Sequence, residues 1–93
     1  MALKAVRVFV SGTVQSVGFR AFARNKVHKL GLKGFVRNLP DGRVGVVAEG
    51  KEEELKKFLS YLRQGSSLSK VKDVEYFYSN HRGIYENFKI SYY

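Results

Sequence analysis

Val6, Val8 and Val10 alternate with Arg7, Phe9 and Ser11, the period of two that turns one face of a strand toward a core. The alternation predicts a first strand over residues 4–11. From Phe19 the period changes: Phe19, Phe22, Ala23, Val27 and Leu30 share one stripe of a helix, and Gly31 follows as a stop. Residues 34–39 and 43–49 flank Pro40-Asp41-Gly42, where proline presets a turn and glycine accepts the left-handed position, so the two segments predict a hairpin. Glu52, Glu53 and Glu54 then crowd a first helical turn, favourable against the helix dipole, and Leu55, Phe58, Leu59 and Leu62 follow on one face until Gly65. After the loop-like stretch of residues 66–69, residues 71–79 and 86–93 predict two more strands around Asn80-His81-Arg82-Gly83.

The order β-α-β-β-α-β, with each strand-helix-strand half crossing over right-handedly, predicts an α+β, ferredoxin-like sandwich in which two helices cover one face of a four-stranded antiparallel sheet. The chain of 93 residues is read as a single domain, residues 1–93, with room for one two-layer core and a shallow site. Tyr76, Phe77, Tyr78, Tyr85, Phe88, Tyr92 and Tyr93 are expected mostly in the core or on the sheet. Alternation cannot put Phe77 on the face of both its tyrosine neighbours, so some aromatic surface must lie on the open sheet face, where a weak dimer contact could form. The fold hosts many functions and selects none.

Composition narrows the chemistry. There is no cysteine, hence no thiolate nucleophile, disulfide or cysteine-based zinc site, and only two histidines remain for any metal. No signal-peptide core, membrane-length apolar run or Asn-x-Ser/Thr acceptor occurs, which is the pattern expected of a cytoplasmic chain without a membrane partner. The net charge of +9 is uneven: residues 1–45 carry nine Lys/Arg against Asp41 alone, and the remainder carries eight against seven. The positive field therefore belongs to the half that holds Gly12-Thr13-Val14-Gln15-Ser16-Val17-Gly18-Phe19-Arg20, and it would steer anionic partners. Those residues lie between the predicted first strand and first helix, where backbone N–H groups face forward and Arg20 adds a fixed cation. Taken alone, a small-residue turn in that position is most often a plain connector.

A second segment, Gly34-Phe35-Val36-Arg37-Asn38-Leu39-Pro40-Asp41-Gly42, changes its meaning. Together the two segments closely resemble the two sequence motifs of the acylphosphatase family, and the resemblance runs the length of the chain, including Val47-Ala48-Glu49-Gly50, the acidic start of the second helix and the aromatic C-terminus. It implies a small enzyme that hydrolyses the carboxyl–phosphate bond of a small acyl phosphate without metal, cofactor or covalent intermediate. Carried over residue by residue, Gln15, Ser16, Val17, Gly18 and Phe19 would wrap the phosphate with backbone N–H donors, Arg20 would grip its oxygens through paired hydrogen bonds, and Asn38 would hold the attacking water. A loose transition state with a good leaving group makes so sparse a site sufficient. Asparagine cannot take a proton at neutral pH, so the substrate's own phosphate oxygen is the implied acceptor.

Competing chemistries lack the residues. A covalent phosphoenzyme would have to use Asp41, spent in a turn, or Asp73. His28, late in the first helix, and His81, in a distal turn, read as solvated. One departure from the family lies inside the loop: Ser16 stands where glycine is usual, and if the position needs positive φ, serine costs ~1 kcal/mol there, weakening rather than abolishing catalysis. Two other readings remain: a silent module of the same family that binds a phosphorylated ligand, and an RNA-binding domain of the same topology. The second is disfavoured, and nucleic acid with it. Lys33-Gly34-Phe35 begins the base-stacking signature but Val36, Arg37, Asn38 and Pro40 break it, and residues 44–49 contain no aromatic.

Overall fold

The computed structural model describes residues 2–91. Its elements are β1 (Leu3–Thr13), α1 (Phe19–Leu30), β2 (Lys33–Asn38), β3 (Val44–Lys51), α2 (Glu52–Gln64), β4 (Lys70–Asn80) and β5 (Phe88–Ser91). Val6, Val8 and Val10 of β1 face the helices with Val44, Val46 and Ala48 of β3 and Val36 of β2. Against them α1 buries Phe19, Ala23 and Val27, and α2 buries Leu55, Phe58, Leu59 and Leu62. Both helices therefore occupy one face, as the two apolar stripes require. Leu55 and Phe58 are fully buried, and truncating either to alanine would cost about 2–5 kcal/mol.

The sheet order is β4-β1-β3-β2-β5. Four strands form the antiparallel ferredoxin-like core, but the fifth pairs in parallel with β2, Gly34 opposite Phe88 and Arg37 opposite Ser91, so the sheet is mixed rather than wholly antiparallel. β4 and β5 are not neighbours across a turn; they close opposite edges. The reason lies in the connector, residues 81–87, which crosses the open face at one end. It covers Ala5 and Glu49 and sets Tyr85 against Phe35 with ring centroids 6.0 Å apart. At its end the Gly34 N–H donates to the Asn87 carbonyl at 3.0 Å, seating β5 beside β2.

Glu49 fastens this strap. At 3 % exposure it is the buried charged side chain of the described residues, and its carboxylate accepts the backbone N–H groups of Arg82 and Gly83, each at 3.0 Å. His81 Nε2 stands 3.7 Å from the same carboxylate. Two charge-assisted amide bonds offset the desolvation that a buried carboxylate would otherwise suffer.

The late aromatics among the described residues divide between core and sheet surface, as expected, with Phe77 on the open face. Only Phe88 enters the core, whereas Tyr76, Phe77 and Tyr78 are exposed, because β4 is an edge strand that α2 only partly covers. Tyr76 and Tyr78 pack edge to face on the helical side, and Phe77 meets Phe9 on the open face at 6.2 Å. Tyr92 and Tyr93, with the end of the expected last strand, lie outside the described residues. No helix among the described residues is long and apolar enough to cross a membrane.

Replacing Glu49 with alanine removes two part-buried charge-assisted bonds and is expected to lower unfolding free energy by about 1–3 kcal/mol. Denaturant titration measures the loss. An unchanged unfolding free energy would contradict the fastening role of the carboxylate.

Candidate active site

β1 leaves the sheet at Thr13, Val14 is buried beneath the loop, and the chain then turns twice through left-handed backbone, at Ser16 (φ 62°) and at Gly18 (φ 75°, ψ 15°). Gly18 is the N-cap of α1. It has no side chain to fold back on the first amides, and the first turn of the helix holds no acidic residue. The opening N–H groups of a helix have no partner within it, and here no capping side chain supplies one. They carry the positive end of the helix dipole and form a concavity with the polarity that suits an anion. A shallow cavity of ≈ 160 Å³ lies there, lined by Val14, Ser16, Gly18, Phe19, Arg20, Ala21 and Ile90.

Arg20, in the first turn of α1, is half-buried, and its Nη1 donates to the carbonyl of Ser91 on β5 at 3.2 Å. The fork is thus steered by the very strand that sequence alone misplaced. The Gln15 side chain braces the hairpin: its Nε2 donates to the carbonyls of Leu39 and Arg43, at 2.8 and 2.9 Å, so only its main chain is left for the loop's interior. Those carbonyls flank the Pro40-Asp41-Gly42 turn, where the Leu39 N–H also donates to the Arg43 carbonyl at 2.8 Å.

Asn38 ends β2, paired with Val44. It does not line the cavity. Two ties relate it to the loop: Gln15 holds its neighbour Leu39, and its other neighbour Arg37 pairs with Ser91, which receives Arg20. Its side-chain Oδ1 is the one buried side-chain oxygen or nitrogen among the described residues that has no hydrogen-bond partner. An unpaired buried acceptor costs free energy in a fold, and a carbonyl oxygen on a strand tied to this loop is suited to accept a hydrogen bond from a bound water.

The turn beside Asn38 is braced. Asp41 accepts the Arg43 backbone N–H at 3.1 Å and its Nε at 2.8 Å, while the Arg43 guanidinium lies 4.8 Å from the Phe9 ring centre. The Arg43 backbone N–H, and after it the guanidinium, hold the Asp41 carboxyl below its ordinary value. A depressed carboxyl contributes stability above its unfolded range and loses it as pH falls through the folded one, so this brace weakens only in acid.

The loop has one more anchor, which sequence reading passed over as low complexity: Ser66 donates its hydroxyl to the Val17 carbonyl at 3.0 Å. Neither histidine joins the site. His28 is exposed late in α1, and His81 follows the end of β4, which the β1 register places beside Lys4 rather than Thr13.

A match to the acylphosphatase family model spans residues 6–90. The chain belongs to the acylphosphatase family. The acylphosphatase of Archaeoglobus fulgidus is 47% identical over 88 residues, 95% of this chain and 98% of that one. That of Thermus thermophilus is 52% identical over 75 residues, covering 81% and 85%. The crystal structure of acylphosphatase from Bacillus subtilis superposes with a TM-score of 0.92 at 39% identity, covering 96% of this chain and 99% of that one. The reaction is that of an acylphosphatase, hydrolysis of an acyl phosphate to carboxylate and inorganic phosphate.

Gln15→Leu removes both side-chain bonds between loop and hairpin while keeping the bulk. Losing that registration should lower kcat about tenfold with a smaller change in KM, because alignment rather than anion affinity is disturbed. Steady-state kinetics on an acyl phosphate decides; a change confined to KM would contradict the registration.

Proposed function

We propose that residues 15–19 and Arg20 bind the phosphoryl group and that Asn38 orients the water that attacks it. The observation that carries this reading is the cavity at α1's N-terminus, lined by Ser16, Gly18, Phe19 and Arg20 and bordered by a first turn without capping side chain or carboxylate. Loop and helix amides meet the phosphoryl oxygens, and Arg20, steered by Ser91, adds charge-assisted donors from its guanidinium. In a loose transition state charge gathers on those oxygens and on the leaving carboxylate, so donors already in place stabilise it without reorganising. Asn38 Oδ1, buried and unpaired among the described residues, accepts a hydrogen bond from one O–H of the water and so aims the water's lone pair at phosphorus, on the side away from the acyl group. The water's other proton passes to a phosphoryl oxygen.

The cavity's openness leaves the acyl group largely in solvent, which favours broad tolerance of small acyl phosphates and needs no metal or cofactor. The chain works as one cytoplasmic domain, 1–93, and as a monomer. A symmetric dimer through the open sheet face would oppose the exposed Arg7 and Arg37 of two copies. Nucleic acid is not the partner in this reading: the central strand β3 presents Gly45 and Val47 to the open face, with no ring for base stacking.

Hydrolysis of a chromogenic acyl phosphate by the parent, Arg20→Gln and Asn38→Ala tests the roles. Arg20→Gln should lose about 100-fold or more in kcat/KM, in both binding and turnover. Asn38→Ala should lose kcat by a similar factor, on the order of 100-fold, with KM near the parent's, since water rather than substrate is misplaced. Equal rates in all three proteins would remove the assignment. A parent that binds phosphate without turnover would instead make the chain a silent ligand-binding module.

A further inference from the structure

Ser66 opens the connection from α2 to β4. Gly65 ends the helix with φ 77° and ψ 175°, and its N–H returns to the Tyr61 carbonyl at 2.9 Å. The Ser66 carbonyl then accepts both the backbone N–H and the hydroxyl of Ser69, at 3.0 and 2.8 Å. The turn is thus closed on its own backbone, which leaves the Ser66 hydroxyl free to act outward. Strand register decides where it acts: Thr13 pairs with Lys70, so the start of β4 lies against the point where β1 runs into the phosphate loop. There Ser66 Oγ donates to the Val17 carbonyl at 3.0 Å, a contact that spans 49 residues of chain and is half-buried.

That contact fixes more than a carbonyl. The Val17 C=O and the Gly18 N–H belong to one planar peptide group, and no peptide bond of the described chain is cis, so the two point in opposite directions. Holding the carbonyl toward Ser66 turns the Gly18 N–H away from it, and Gly18 lines the cavity. One residue before Val17 stands Ser16, at φ 62°. An L-residue resists that region whereas glycine enters it freely, so the loop is under tension just where its amides must stay aligned.

We propose that Ser66 is a positioning residue of the active site: its hydroxyl holds the 17–18 peptide in the orientation that presents the Gly18 N–H to the phosphoryl group, and it offsets the tension that Ser16 places on the loop. The proposal rests on the cradle reading of residues 15–20. It concerns this chain's own pairing of two serines, one inside the loop and one in a turn that contributes nothing else to the site.

Inhibition by inorganic phosphate and steady-state kinetics on a chromogenic acyl phosphate, measured for the parent, Ser66→Ala, Ser66→Thr, Ser16→Gly and the Ser16→Gly/Ser66→Ala pair, test it. Ser66→Ala should raise KM and the phosphate inhibition constant about three- to tenfold with kcat within about twofold, the size expected for one aligned donor lost from anion binding. Ser66→Thr, which keeps the hydroxyl, should restore both constants. Ser16→Gly should raise kcat/KM, and in that background the Ser66→Ala loss should shrink, since glycine holds the turn unaided. Parent-like constants in Ser66→Ala would overturn the proposal. So would failure of threonine to restore them, or an equal loss in both backgrounds. An Arg20→Gln control separates the two levels: if it is inhibited by phosphate as strongly as the parent, the cradle itself is wrong and Ser66 has nothing to position.

Discussion

Backbone N–H groups bind an anion only if they are withheld from every partner inside the protein, and the chain between β1 and α1 is built around that restriction. A helix start normally recruits a serine, threonine or acid to close its first amides. Here Gly18 takes the cap in left-handed conformation, no acid follows in the first turn, and the amides stay open. The arrangement costs stability in isolation, because the cap is forgone and Ser16 sits at φ 62°. The surrounding fold carries that cost, which is how strained segments persist at functional sites.

Three separate parts of the fold restrain the open loop. Gln15 ties its first residue to the hairpin carbonyls of Leu39 and Arg43, Ser66 holds Val17, and Ser91 of β5 receives Arg20. Each restraint is a single hydrogen bond or a pair, modest alone. Their distribution matters more: hairpin, α2–β4 turn and edge strand each set one residue, so the loop, the cation and the strand bearing Asn38 are registered through the sheet. Rigid placement of donors and water is the form of catalysis open to a site with no strong base.

What the sequence made legible follows from how local each signal is. Gly31, Pro40-Gly42 and Gly65 act within one turn of chain, and the helices and the hairpin fall where these residues and the apolar stripes put them. The family was legible as a resemblance, since a loop motif and a strand motif agree at matching separation, and the candidate site residues follow from it only as a proposal. The edge position of β5 was not legible, because alternation in residues 86–91 reports that a strand exists and not which neighbour it takes; the carboxylate of Glu49, far away in sequence, supplies that information. The Gln15 side-chain bonds to the hairpin were not legible for a related reason: their acceptors are main-chain carbonyls, which carry no sequence signal. Ser66 was hidden by serine-rich surroundings, and Ser16 was visible only as a missing glycine until its φ gave the strain a place.

Amide chemical shifts followed by NMR during titration with inorganic phosphate test the central claim most directly. The account predicts saturable shifts of the Val17, Gly18, Phe19 and Arg20 amides and of the Arg20 side-chain Nε–H, with Asn38 responding and the open sheet face around Phe9 and Phe77 silent. Shifts centred on that face, or a loop that stays silent while phosphate inhibits turnover, would contradict it.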